Sequence, residues 1–297
     1  MVVRRLAAAS VAANAAIVFT GGIVRLTGSG LGCPTWPTCT DASFTPTPEY
    51  AQHGVIEFGN RMLTFVLTAV VLATLLAVLR SDRRSLRPLA VASFLGIPAQ
   101  AVLGGITVLT GLNPWTVAAH FLLSMGILAV TTTLAWRAYR PDGPARPAVN
   151  PSLVTLVRVL TGVTLAVLAI GTVVTGSGPH AGDADVPRTG LDPETVSQLH
   201  ADAVMLLVGL TVAALLWLRG SKAPPAATRA AAILLAVELA QGAIGFAQYF
   251  TGLPVVLVAL HLAGACAVWV AALRLLLSTS TRSAVSVPTK TQEYVAS

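Results

Sequence analysis

Apolar residues along this chain collect into eight runs, each close to the roughly 20 residues a helix needs to cross a bilayer. The runs cover residues 7–26, 54–79, 88–110, 114–136, 153–174, 195–218, 228–250 and 254–277. Polar or Gly/Pro-rich stretches separate them. Backbone groups in lipid must pair within their own segment, so such runs predict helices. The expected fold class is an all-α membrane protein with eight transmembrane helices.

The pattern repeats. Gln100-Ala101-Val102-Leu103-Gly104-Gly105 leads through Gly111-Leu112 to His120. About 141 residues later, Gln241-Gly242-Ala243-Ile244-Gly245-Phe246 leads through Gly252-Leu253 to His261. Thr27-Gly28-Ser29-Gly30 recurs as Thr175-Gly176-Ser177-Gly178. The chain reads as a tandem duplication of four helices. Four crossings return the chain to its starting side, so the halves are parallel repeats, expected to form two four-helix bundles related by a pseudo-two-fold axis along the membrane normal. The boundaries are an N-terminal bundle over 1–139, a linker over 140–152 rich in Pro and Gly, a C-terminal bundle over 153–277, and a Ser/Thr-rich tail over 278–297 expected to be disordered.

Composition agrees: 55% of the 297 residues are hydrophobic and only 10% charged, a ratio at which a soluble domain would not stay dispersed. A net charge of +7 suggests nucleic acid only if its placement is ignored. Arg80, Arg83, Arg84 and Arg87, then Arg137, Arg140 and Arg146, then Arg219, Lys222 and Arg229 occupy alternate loops, and Arg4 and Arg5 precede the first run. The other loops carry Asp41, Glu49, Asp183, Asp185, Asp192 and Glu194. The positive-inside rule then predicts a multi-pass cell-membrane protein with both termini in the cytoplasm. Met1-Val2-Val3-Arg4-Arg5 imitates the start of a secretory signal. The segment closing the first run reappears after the fifth, so that run is assigned to the repeat.

Four polar positions stand at similar depth. Asn60 and His200 lie early in the second helix of their halves, and His120 and His261 early in the fourth. At 1.5 Å per residue all sit roughly 9–10 Å inside their helices. Two facing residues at one depth can clamp a planar macrocycle, and imidazole is a standard axial ligand for haem iron. A histidine bonded to a neighbouring helix is the plainer alternative. Repetition at matching positions favours ligation. The halves differ, because the second carries both His200 and His261 while the first sets Asn60 opposite His120. The first half has Glu57 one turn before Asn60, where the second has about Ser197. This asymmetry assigns a fixed cofactor to the second half and chemistry near Glu57 to the first. Glu57 could equally pair with Arg61 or His53 at i±4 spacing.

Cys33 and Cys39 bracket two prolines in the first outer loop, which suits a disulfide, structural or redox-active. Cys266 is read as a packing residue. Gln100 and Gln241 are expected to bond between helices, and Glu238 to face the second-half cofactor or another helix. Arg25 and Arg61 could meet propionates or reach the interface. His180 with Asp183 and Asp185 is read as a solvated loop. No phosphate loop, dinucleotide fingerprint or zinc spacing is present.

Together these residues resemble the haem A synthase family, whose members oxidise a methyl group of haem O to the formyl group of haem A. The resemblance rests on Gly30-Leu31-Gly32-Cys33-Pro34-Thr35-Trp36-Pro37-Thr38-Cys39, Ile56-Glu57-Phe58-Gly59-Asn60-Arg61, Ala119-His120-Phe121, Leu199-His200-Ala201 and Leu260-His261-Leu262. It implies that His200 and His261 ligate a haem b cofactor. It implies a haem O site in the first half, with His120 on the substrate iron, Asn60 and Arg61 beside it, and Glu57 close to the reacting methyl as the catalytic group. Cys33 and Cys39 match the family's outer-loop pair. Two departures stand out: Asn60 occupies a position where many members have histidine, and the later outer loop lacks a second cysteine pair. Expected partners are haem O, membrane lipid, a haem O synthase and an electron acceptor. Three other functions fit part of the pattern: a b-type electron-transfer cytochrome, a transporter built of parallel repeats, and a thiol oxidase using Cys33 and Cys39.

Overall fold

A computed structural model describes residues 1–283. Eight long helices run in chain order: α1 (Val2–Leu26), α2 (Ala51–Leu79), α3 (Arg87–Leu109), α4 (Pro114–Ala138), α5 (Pro151–Ser177), α6 (Pro193–Gly220), α7 (Pro225–Phe250) and α8 (Val255–Ser278). Each overlies one of the apolar runs, and all eight are long and apolar enough to cross a membrane. The chain is a multi-pass, all-α membrane protein.

Helix starts follow local chemistry. Pro114, Pro151, Pro193 and Pro225 each occupy the first helical position, where no backbone donor is lost. The side chains of Asn113, Asn150 and Asp192 cap α4, α5 and α6 by accepting from Trp115 N, Ser152 N and Thr195 N at 3.0, 2.9 and 2.8 Å. The repeated Gly-Leu pair closes the two hairpins α3–α4 and α7–α8. Gly111 and Leu112 have φ of 61° and 56°, and Gly252 and Leu253 have φ of 76° and 59°. Leucine in this left-handed region costs about 1–2 kcal/mol. Leu112 offsets that cost by burying itself against Ala181 and Val186 of the loop between α5 and α6.

Within α1–α4, α1 and α3 each pack on both α2 and α4, closing a ring of four. Helices α5–α8 close a second ring in the same way. The rings meet along α1, α4, α5 and α8. The seam buries Val18, Met125, Leu128, Leu168, Cys266 and Trp269 together, so Cys266 is a packing residue. Trp269 Nε1 donates to the Met125 carbonyl across it at 2.9 Å.

Packing inside each ring is lopsided. Leu153, Val157, Leu160, Leu218, Ala227 and Leu234 fill the second ring near the face where α1 begins and α8 ends. Ala7, Val78, Leu86, Ala90, Leu134 and Ala138 do the same in the first. Toward the opposite face, where the two long loops lie, the rings are hollow. Those loops interlock. Gly30 N donates to the Gly182 carbonyl at 3.0 Å, and Arg25 donates to the carbonyls of His180 and Thr175 at 2.7 and 2.9 Å.

The chain past Ser278 departs from the disorder expected of it. Ser280–Arg282 form a strand, β2, antiparallel to β1 (Ala145–Pro147) in the linker. Two three-residue segments can pair here because Ala148 N also donates to Thr279 O and Gly143 N to Ser283 O, which satisfies backbone groups on both sides. The rest of the tail, 284–297, lies outside the described residues.

Arg83, on the α2–α3 turn, anchors the linker. It donates to Asp142 at 2.6 Å and to the carbonyls of Arg137 and Arg140. Slight burial raises the Asp142 pKa, but hydrogen bonds from Arg83 and Ser85 outweigh it and hold the carboxyl below its ordinary value. A carboxyl with a depressed folded-state pKa adds stability above its unfolded value, and that stability is lost as pH falls through the folded value. The thermal midpoint in detergent should therefore drop as pH is lowered from about 4, and Asp142→Asn should lower the midpoint at neutral pH and flatten this acid dependence.

Candidate functional site

The hollow side of the two rings forms a cavity of about 2090 Å³, lined by residues from all eight helices. Ordinary small-ligand pockets reach about 1,000 Å³, so there is room for more than one large ligand. Asn60, His120, His200 and His261 all line it, as does Glu57. The four positions chosen for their matching depth thus share one space.

In the second ring, His200 on α6 and His261 on α8 face each other with ring centroids 6.4 Å apart and planes at 67°. Neither Nδ1 has a hydrogen-bond partner, and both are enclosed by protein. Each Nε2 is free of hydrogen bonds and open to the cavity. Gln241 Nε2 donates to the His261 carbonyl at 2.8 Å, the interhelical role expected of it.

The first ring repeats part of this. His120 has the same enclosed, unpartnered Nδ1. Gln100 Nε2 donates to the His120 carbonyl at 3.2 Å and to Ser124 Oγ. Opposite, Asn60 presents an amide whose Oδ1 accepts from Thr20 on α1 at 2.8 Å.

Glu57 is 6% exposed and both its oxygens are engaged. Oε1 accepts from Arg61 Nη2 at 2.6 Å, and Oε2 accepts from the Cys33 backbone N–H at 2.7 Å. Of the two pairings open to Glu57 in the sequence, the structure has Arg61; His53 turns instead to Ser29 Oγ at 2.9 Å. Arg61 spends its remaining donors on the carbonyls of Thr38, Cys33 and Thr35, at 3.0, 2.9 and 3.1 Å. Cys33 and Cys39 are joined in a disulfide, both buried. The small disulfide loop is therefore tied from below to an ion pair on α2, and Trp36 at its tip packs on Gly105 of α3.

Other sequence candidates fall elsewhere. Arg25 is taken up by the loop carbonyls described above. His180 Nε2 lies 2.9 Å from the Leu253 carbonyl, a tie between the α5–α6 loop and the α7–α8 turn. Glu238 is buried, with Thr211 donating to it at 2.9 Å, and it lines the deeper part of the cavity. The partners Thr20, Ser124 and Thr211 were missed in the sequence, where a lone hydroxyl in an apolar run carries no signal. Gly104, Gly171 and Gly245 lie against His120, His200 and His261; Gly104 and Gly245 stood in the repeated Gln-x-x-x-Gly segment without a sign of this contact, and Gly171 follows no glutamine.

Replacing Arg61 strands the Glu57 carboxylate and releases three loop carbonyls at once. Arg61→Met should cost roughly 3 kcal/mol, the low end for breaking a buried pair. It should also make the 33–39 loop a new site of limited proteolysis, scored by peptide mapping against the wild type.

Residues 4–190 match the family COX15-CtaA, described as cytochrome oxidase assembly protein. A Listeria welshimeri protein named heme A synthase is 33% identical over 129 residues, which are 42% of this chain and 42% of that protein. A Bacillus pumilus protein of the same name is 34% identical over 141 residues, 46% of this chain and 44% of that one. One from Geobacillus kaustophilus is 30% identical over 131 residues, 42% and 40% of the two chains. The matched segment thus spans less than half the length of each relative.

Proposed function

The chain belongs to the COX15-CtaA family of cytochrome oxidase assembly proteins, and from that premise we propose that it is a haem A synthase, a membrane oxidoreductase that converts a methyl group of haem O into a formyl group. The observation that carries the proposal is the facing pair His200 and His261 beside a second, incomplete pair, His120 and Asn60, within one cavity.

Two imidazoles held on opposite sides of one metal, each through a bond of about 2 Å, put their ring centres a little over 6 Å apart. The 6.4 Å separation of His200 and His261 fits that requirement, and each offers a free Nε2. We assign these two residues to a haem b cofactor in the second bundle. Held by these two residues, haem b would supply one-electron transfer.

The first bundle is assigned to the substrate. His120 offers the same kind of Nε2 as the cofactor pair, so it holds the iron of haem O from one side. Asn60 is too short and too weak a donor to close the other side, and its amide is already bonded to Thr20. Glu57 is fixed by Arg61 and the Cys33 N–H at the edge of this space. A carboxylate so held stabilises positive charge developing at the reacting carbon and takes up a proton released there. The disulfide loop above, braced by Arg61 and Trp36, covers that edge. Two successive hydroxylations, each replacing a C–H hydrogen with a hydroxyl drawn from water, give a hydrate that loses water to leave the formyl group. Each releases two electrons and two protons, so an electron acceptor outside the chain is a required partner, and a haem O synthase is the natural supplier of the substrate. By the positive-inside rule, the arginine-rich loops support a topology with cytoplasmic termini and the disulfide loop on the oxidising side.

The decisive experiment is expression with haem O supplied, followed by separation of the extracted haems. Haem A should appear. Haem B alone would favour an electron-transfer cytochrome and refute the proposal. Glu57→Gln should fold and keep its haem b while forming haem A at least about 100-fold more slowly. Normal haem A formation in that variant would remove Glu57 from the reaction.

A further inference from the structure

Every ligand position in the cavity is opposed by a glycine on the preceding helix. His120 on α4 faces Gly104 on α3, His200 on α6 faces Gly171 on α5, and His261 on α8 faces Gly245 on α7. A methyl group placed on these glycines would stand 3.1, 3.2 and 3.3 Å from the respective Cε1 atoms, and 3.6, 3.6 and 3.7 Å from the respective Nδ1 atoms. The same ring edge therefore rests on bare backbone in all three cases, at a separation where a Cβ would fit only if the ring gave way by a few tenths of an ångström.

A second observation explains why that contact matters. A metal-bound histidine ordinarily donates its other ring N–H to a carbonyl or carboxylate, which fixes the ring angle. Here Nδ1 of all three histidines is enclosed yet closes no hydrogen bond. The backbone of Val167 stands near the His200 ring and that of Gln241 near the His261 ring, each four residues before the glycine, without reaching full bonding geometry. The ring angle is therefore set in part by packing.

We propose that Gly104, Gly171 and Gly245 are positioning residues that aim the imidazoles of His120, His200 and His261 into the cavity. The proposal rests on the reading of these imidazoles as iron ligands. A Cβ at any of the three requires the ring to give way by a few tenths of an ångström, and at Gly171 or Gly245 that shift moves one member of the His200–His261 pair, now 6.4 Å apart.

The fourth position provides a built-in control. Gly21 on α1 faces Asn60 on α2, and a methyl there would lie 3.8 Å from Asn60 Nδ2, an ordinary contact. Alanine in place of glycine inside a helix normally stabilises the helix. A purely structural role for these glycines and a positioning role therefore predict different readouts.

The test compares purified wild-type protein with Gly171→Ala, Gly245→Ala, Gly104→Ala and Gly21→Ala. Haem content is measured by haemochrome assay, spin state by electron paramagnetic resonance, and folding by gel filtration and thermal midpoint. Gly171→Ala and Gly245→Ala should stay folded but lose several-fold in haem content or shift from low-spin to high-spin iron. Gly104→Ala should leave the low-spin signal intact and lower retention of added haem O several-fold. Gly21→Ala should match the wild type in haem content and spin state, with a thermal midpoint equal to or above it. Wild-type content and spin state in Gly171→Ala and Gly245→Ala would overturn the proposal alone. So would equal damage from Gly21→Ala, or alanine variants that lose thermal midpoint while their remaining haem keeps the wild-type spectrum. Wild-type protein without low-spin haem would overturn the ligand assignment itself, and the proposal with it.

Discussion

A ring of helices can stay hollow at one end only if its other end is packed solid. Both rings here meet that condition with leucine, valine and alanine near the face where α1 begins and α8 ends. Interiors of proteins tolerate few voids, because unfilled space forfeits dispersion contacts along its whole lining. The seam of Met125, Leu128, Leu168 and Trp269 adds a second solid region between the rings. With helix spacing fixed by those two regions, the side chains around the cavity are held apart instead of collapsing onto one another. The 6.4 Å gap between His200 and His261 is a product of that scaffold.

The two rings spend their polar residues differently. The second has paired imidazoles and a buried Glu238 bonded to Thr211. The first has a single imidazole, an amide already bonded to Thr20, and a carboxylate fixed by Arg61 and a backbone N–H. The two rings share one helix order, yet the second turns two imidazoles to the cavity where the first turns an imidazole and an amide. The disulfide loop sits over the first ring, joined to it through Arg61.

Much of this was legible in the chain before its structure. The helices follow the apolar runs because lipid leaves the backbone no other way to satisfy its polar groups. His120, His200 and His261 stood out because an imidazole in an apolar helix is costly and these recur. The Glu57–Arg61 pair was visible because i,i+4 spacing is local. What stayed hidden depends on partners distant in sequence. Arg61 reaches carbonyls 23 to 28 residues away, and Arg25 reaches across 150 and 155. Carbonyls have no residue-type signature, so no pattern announces them. The pairing of Ser280–Arg282 with Ala145–Pro147 was hidden for the same reason, since a polar tail reads as structureless until its partner is known. The opposing glycines belong to a third kind: visible as a repeated residue, silent about what they touch.

The interlocked long loops bear on how the two halves stay together. Arg25, Gly30 and Leu112 of the first half all terminate on the loop between α5 and α6, while Trp269 reaches back from α8 to Met125. None of these ties runs through the peptide joining α4 to α5. The halves are therefore joined by tertiary ties that do not depend on the α4–α5 connection.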